Sequence, residues 1–278
     1  MSSPIATEFT AVGAARVRIA TIGRHAQHAA GGDAEVIARF ERSAYVRAAN
    51  GRLACIGGDG LGWGPLNALT TSAEFEHARL AVGARVCLDT GAAALWRPRA
   101  FAVAAADAGS ALATLDAALA TVPPRGLADP LTSDSAGARA RRGLSALTDW
   151  ITVDARGGEP HEDVLLLIGL GPGLTPAGDD ALGGAMIALR GFGRGGLAER
   201  LAARVLPRVA ERTSAISAAH LEAAAEGEGA AALHDTLAAL ADGDTAAAIG
   251  ALRRLDRIGH SSGWDALAGA VAALRGLR

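Results

Sequence analysis

"LLIGLGPGLTPAGDDALGGAM", Leu166 to Met186, carries six glycines, two prolines and two adjacent aspartates in a chain of 278 residues that is half apolar. Two folds compete for it. An apolar strand running into G-x-G-x-x-G would open a dinucleotide-binding α/β domain, with an acidic residue about 20 positions further on. Counted from Gly169 the third glycine falls on Leu174, and counted from Gly171 it falls on Pro176. The segment that follows, "LRGFGRGGLAE" (189–199), has no acidic residue before Glu199 and no obvious second strand. The Rossmann reading is rejected, which leaves a glycine-rich loop that opens a helix.

On that reading Thr175 caps the helix, Pro176 sits in its first turn, and Asp179 and Asp180 complement the positive end of its dipole. Gly178, Gly183 and Gly184 are unexplained, because each helix-interior glycine costs about 0.5–1 kcal/mol relative to alanine. A ligand, a neighbouring helix or both must approach that backbone. Free N–H groups at a glycine-rich helix start suit a phosphate or carboxylate. Gly171, Gly173, Leu174 and Thr175 are therefore candidate substrate-binding residues. Two adjacent carboxylates would repel an anion unless a cation bridged them, which makes Asp179 and Asp180 candidate ligands of a divalent ion such as Mg2+.

Working outward, the texture of the chain changes near residue 106. Before it lie short alternating or β-branched runs at 14–23, 34–49, 52–58, 65–71 and 78–91, separated by turn signals such as Asn50-Gly51 and "GGDGLGWGP" (57–65). They predict a small antiparallel, barrel-like β module over 1–106. After it, Ala- and Leu-rich helical spacing recurs over 109–121, 135–152, 176–190, 196–225, 230–241, 244–255 and 263–276. The expected class is α+β, with a mostly helical domain over 107–278 carrying the chemistry. "VPPRGLADPLTSDSAG" (122–137) reads as a loop-rich connection.

Composition narrows the function. The formal net charge is -2, and all basic residues other than histidine are arginine, which excludes a Schiff-base or P-loop lysine. Nucleic acid is not an expected partner. Cys55 and Cys87, far apart in apolar runs, read as inert core thiols. No signal peptide or apolar stretch of membrane-spanning length stands out, so a cytoplasmic protein is expected.

Two further segments carry polar groups. In "ERTSAISAAHLEAAAEGEG" (211–229), Thr213, Ser217 and His220 fall at i, i+4 and i+7, which would place two hydroxyls and an imidazole on one helical face. The bland alternative is hydrogen bonding to backbone carbonyls. In "GHSSGWDALAG" (259–269), Ser262 and Asp265 fit an S-x-x-D capping box, leaving His260, Ser261 and Trp264 beside a helix N-terminus. His220 and His260 are the candidate acid/base residues; Ser261 and Ser262 join the candidate binding set. Arg212 is a candidate anion partner.

These three segments, in this order, resemble the signature motifs of the AllH family, with weaker support from "GPLNALT" (64–70) and "AAALWRP" (92–98). The resemblance implies a subunit of bacterial oxamate carbamoyltransferase. It would act with partner subunits resembling AllF and AllG in allantoin degradation, a branch of purine catabolism, where a carbamoyl group is exchanged between oxamate and carbamoyl phosphate. The alternatives are a non-catalytic small-anion binding, regulatory or scaffold subunit, and a carboxylase-like enzyme.

Overall fold

The computed structural model describes residues 14–99, 107–129, 135–153 and 158–278. The expected boundary near 106 lies outside them. Eight strands occupy the first part: β1 (Ala15–Arg18), β2 (Thr21–Gly23), β3 (Asp33–Arg39), β4 (Ser43–Ala48), β5 (Leu53–Gly58), β6 (Asn67–Thr70), β7 (Arg85–Asp89) and β8 (Ala94–Trp96). They form one sheet in the order β1-β7-β3-β4-β5-β6-β2-β8.

The sheet is curled into a half-barrel, and a two-residue link shows why. β1 and β2 stand six places apart in the sheet, about 29 Å if it were flat, yet only Ile19 and Ala20 separate them, a reach of about 11 Å. Ile19 N–H donates to Asp89 O at the end of β7, and Ala20 N–H donates to Leu69 O at the end of β6. Two residues therefore draw opposite sides of the sheet together. The curl encloses Val17, Ile22, Val36, Val46, Ile56 and Val86.

The sheet is mixed, not antiparallel as the turn signals led one to expect: β1–β7, β2–β8 and β5–β6 are parallel and the other pairs antiparallel. The run 78–91 is a strand only over β7, because Arg79 turns with a positive φ of 45° and Gly83 with one of 85°. Two short helices, α1 (Arg24–Gln27) and α2 (Ser72–His77), interrupt the strands.

The helical part comprises α3 (Ala108–Leu119), α4 (Ser135–Thr152), α5 (Ala177–Gly191), α6 (Gly195–Arg212), α7 (Ala215–Ala225), α8 (Ala231–Ala241), α9 (Thr245–Leu255) and α10 (Ser262–Gly276). The expected single run 196–225 is two helices. Thr213 leaves helical geometry (φ -141°, ψ 176°), and Ser214 caps α7 by accepting the Ser217 N–H. "EDVLLL", Glu162–Leu167, is a 3-10 turn rather than a strand, consistent with rejecting the dinucleotide fold.

α5 is the centre of this part: all but four of its fifteen residues are buried, Ala181, Leu182, Ala185, Met186 and Leu189 completely so. It crosses α10 at very short range. A Cβ on Gly184 would collide with the Ala266 carbonyl oxygen, and one on Gly269 with that of Ala181. Gly178 is pressed against the Leu167 carbonyl in the same way. The neighbour required by the interior glycines is thus a packed backbone, and the lost propensity is offset by close contact over two apolar helices.

The two parts touch. Strand alternation sends Ala44 and Val46 into the barrel core and Tyr45 to the outer face, where α7 lies. Leu53, Leu66 and Ile216 form a small apolar cluster there. Arg24 pairs with Glu226 and, at 2.6 Å, with Glu228; Arg52 lies 3.4 Å from Glu222.

Candidate functional site

The glycine loop, Gly169–Thr175, takes its shape from three left-handed residues: Gly169 at φ 68°, Gly171 at 116° and Gly173 at 92°. Such angles strain any residue with a Cβ. Gly169 is further constrained, because a Cβ there would strike the Arg212 carbonyl oxygen. Gly173 has nothing within 4 Å, and Pro172, Gly173 and Leu174 are exposed. The loop tip is therefore open on one side and held from beneath.

What holds it is Asp179, 2% exposed. One carboxylate oxygen accepts Gly169 N–H at 2.8 Å; the other accepts the Ser217 hydroxyl at 2.7 Å and the Thr213 hydroxyl. Three donors take the negative charge, and the sequence reading did not foresee this role. Thr213 and Ser217 do converge, but on a carboxylate, Thr213 from the extended link between α6 and α7 and Ser217 from α7, not along one helical stripe. Ser214 donates to Leu174 O, which ties the second segment to the loop a second time.

Thr175 does not cap α5. Pro176 holds the N-cap position, and the Thr175 hydroxyl instead meets the Ser262 hydroxyl at 3.2 Å, joining the loop to the third segment. The capping box predicted for Ser262 and Asp265 is likewise absent. Ser261 is the N-cap residue of α10 and donates to Asp265 at 2.8 Å, while the other Asp265 oxygen accepts Leu127 N–H at 2.7 Å. Trp264 is buried, with its indole N–H on Asp256. His260 is exposed at the mouth of this turn.

Asp180 faces a different environment from Asp179. Burial, then the neighbouring carboxylates of Asp265 and Asp179, push its carboxyl well above the usual range, and the Ser262 hydroxyl acts in the opposite direction. Its Oδ2 is buried without a hydrogen-bond partner. The two aspartates thus aim at separate partners. Among the described residues no group of three or more His, Cys, Asp and Glu gathers to hold a metal ion.

His220 projects from α7 to the sheet, where its Nε2 is 2.9 Å from the Tyr45 hydroxyl. Burial, with His25 adding to it, pushes the imidazole down to about 4, so it is neutral at neutral pH. Tyr45 is held well above its ordinary value by burial, then by Cys55 opposite it on β5 and by Asp180. Cys55 itself is buried and pushed up to about 12, an inert thiol. The cluster of Asp180, Ser262, Thr175, His220 and Tyr45 offers hydroxyls, a neutral imidazole and a carboxyl that favours its proton. Tyr45 escaped the sequence reading, although it is the chain's single tyrosine.

Beside this cluster a cleft of about 820 Å³ separates Asn50–Leu53 from α6 and α7, with Thr213, Ser214 and His25 in its wall and Arg52, Glu222 and Glu226 among its charged groups. Arg212 is exposed, and it is its carbonyl that lies against the loop. Among the described residues no helix is long and apolar enough to cross a membrane.

No match is found among curated proteins or solved structures. The three segments that meet around Asp179 and Ser262 all lie within residues 167–274, and that stretch matches the AllH family model, described as oxamate carbamoyltransferase subunit AllH.

Proposed function

We propose that this chain is a subunit of an oxamate carbamoyltransferase and binds a small anionic substrate, oxamate or carbamoyl phosphate, over Gly171–Thr175. The observation that carries this reading is the Asp179 network. A buried carboxylate, a backbone N–H and two hydroxyls, one from the α6–α7 link and one from α7, hold an open, glycine-built loop in one shape, which a loop needed only for a chain reversal does not require. Donors fixed in advance stabilise charge without the reorganisation that water needs. Ser262 and Thr175 flank the loop, and neutral His220 with Tyr45 stands ready to position a group or move a proton. Partner subunits resembling AllF and AllG complete the assembly in allantoin degradation.

A scaffold role has its own support, since Gly178, Gly184 and Gly269 are explained by helix packing alone. One experiment separates the two. The complex is reconstituted with Gly173→Val or His220→Gln, and binding is compared with carbamoyl transfer. The substrate-binding reading expects Gly173→Val to lose affinity and His220→Gln to lose turnover by about 10²-fold or more with binding spared. Full activity in both variants would place the chemistry in another subunit.

A further inference from the structure

A second concavity, about 300 Å³, lies away from the glycine loop. Its walls come from Arg97 and Arg99 just after β8, Arg190 at the end of α5, Glu226 and Glu228 in the turn after α7, and His234 of α8. The loop opens α5 and Arg190 closes it, so the two places are about 20 Å apart along that helix.

The charges facing this cavity do not cancel. Glu226 and Glu228 share one cation, Arg24, which lies outside the lining, so the three together carry one net negative charge, and Glu228 Oε2 is buried without a hydrogen-bond partner. Burial pushes His234 down to about 4, and its Nε2 accepts the Gly229 N–H at 3.2 Å, so it brings no positive charge at neutral pH. Arg190 is fixed by its Nε donating to Ala225 O at 2.7 Å and lies 3.7 Å from Glu199, and its position in the last turn of α5 offsets the partial negative charge of that helix end. Arg97 and Arg99 remain. Among the described residues neither has an ion-pair partner, and both are exposed at the rim. Pro98 between them locks its own φ and restrains Arg97 to extended backbone.

Paired guanidiniums at the mouth of a small cavity match the forked geometry of oxyanions. We propose that this cavity is an anion site, distinct from the glycine loop, that takes a small phosphate-bearing ligand with two or more negative charges, its oxyanion held between Arg97 and Arg99. This assignment does not rest on the carbamoyltransferase reading.

Calorimetric titration of the full chain with pyrophosphate tests it. Binding is expected, weakening as NaCl is raised. Arg97→Ala/Arg99→Ala should lower affinity about tenfold or more. The fold, checked by circular dichroism, should be unchanged because both side chains are exposed. The proposal is overturned if pyrophosphate does not bind at about 10 mM, or if the double arginine variant binds equally well.

Discussion

Two residues of the site show how differently burial can use a polar group. Asp179 has three donors around it, whereas His220 has one phenol, and its ring is held neutral by desolvation down to about pH 4. That difference has a measurable consequence. An imidazole that titrates near 6.5 when unfolded and near 4 when folded binds fewer protons in the native state between those values. Stability is then full above pH 6.5 and falls as pH drops toward 4. For His220 alone the loss at pH 5 is about 2 kcal/mol, and buried His234 contributes in the same direction. Asp180 and Asp265, raised by burial, act with the opposite sign, but they are common to the natural protein and a His220→Gln variant. Urea unfolding of both proteins at pH 7 and pH 5 should show the variant losing about 2 kcal/mol less; equal losses would mean that His220 is solvated. The polar residues of the three segments were legible in the sequence because they stand out from alanine. Asp179's role was not, since nothing local says whether an aspartate meets a cation, a dipole or two hydroxyls arriving from a distant stretch of chain. Tyr45 needed only the alternation of β4 to be placed on the outer face.

Among elements, the helices and most strand positions were legible and the pairing of the strands was not. Ala and Leu at helical spacing located α3, α4, α5, α8, α9 and α10 to within a few residues, because a helix writes its period into its own sequence. Strand pairing is written in no strand: β5 beside β6 and β2 beside β8 run parallel because of where the chain returns, and the Ile19–Ala20 link that curls the sheet carries no periodic signal. The break at Thr213-Ser214 was visible in principle as a hydroxyl N-cap, but the apolar pattern continued across it. Glycine likewise meant two things within one stretch. Gly169, Gly171 and Gly173 serve backbone angles; Gly178 and Gly184 serve contact. Substitution tells them apart. Gly184→Ala forces a methyl into the Ala266 carbonyl between two buried helices, and a loss of about 3 kcal/mol or more is expected. Gly173→Ala meets open space and should cost only about 1 kcal/mol, for its positive φ. Thermal unfolding that ranked the two in the reverse order would contradict the close α5–α10 crossing.

At the scale of the whole molecule, the family match lies wholly in the helical part, whereas β4 supplies Tyr45 to His220 and the segment after β8 supplies Arg97 and Arg99 to the second cavity. A division near residue 106 remains our proposal for the domain boundary. It does not imply independence, because the contact between the parts is mixed: Leu53 and Leu66 pack on Ile216, Tyr45 bonds His220, Arg24 reaches Glu226 and Glu228, and Ala231 N–H donates to Trp63 O. Breaking it would leave Glu228, largely buried, without its cation, and burying a charge alone is costly. The two parts are therefore expected to unfold as one unit. The tryptophans make this measurable, since Trp63 and Trp96 lie on the sheet side and Trp150 and Trp264 on the helical side. Trp63→Phe/Trp96→Phe leaves fluorescence that reports only the helices. In urea that signal should coincide with far-ultraviolet circular dichroism of the whole chain, in a single transition. Ile216→Ala removes the apolar anchor and is expected to lower the midpoint through a loss of about 2–4 kcal/mol. If the interface is the only link holding the parts at one stability, the same substitution should also pull the two signals apart. Separate transitions already in the parent protein would show that each part folds alone, and that the Tyr45–His220 contact follows from docking rather than from folding.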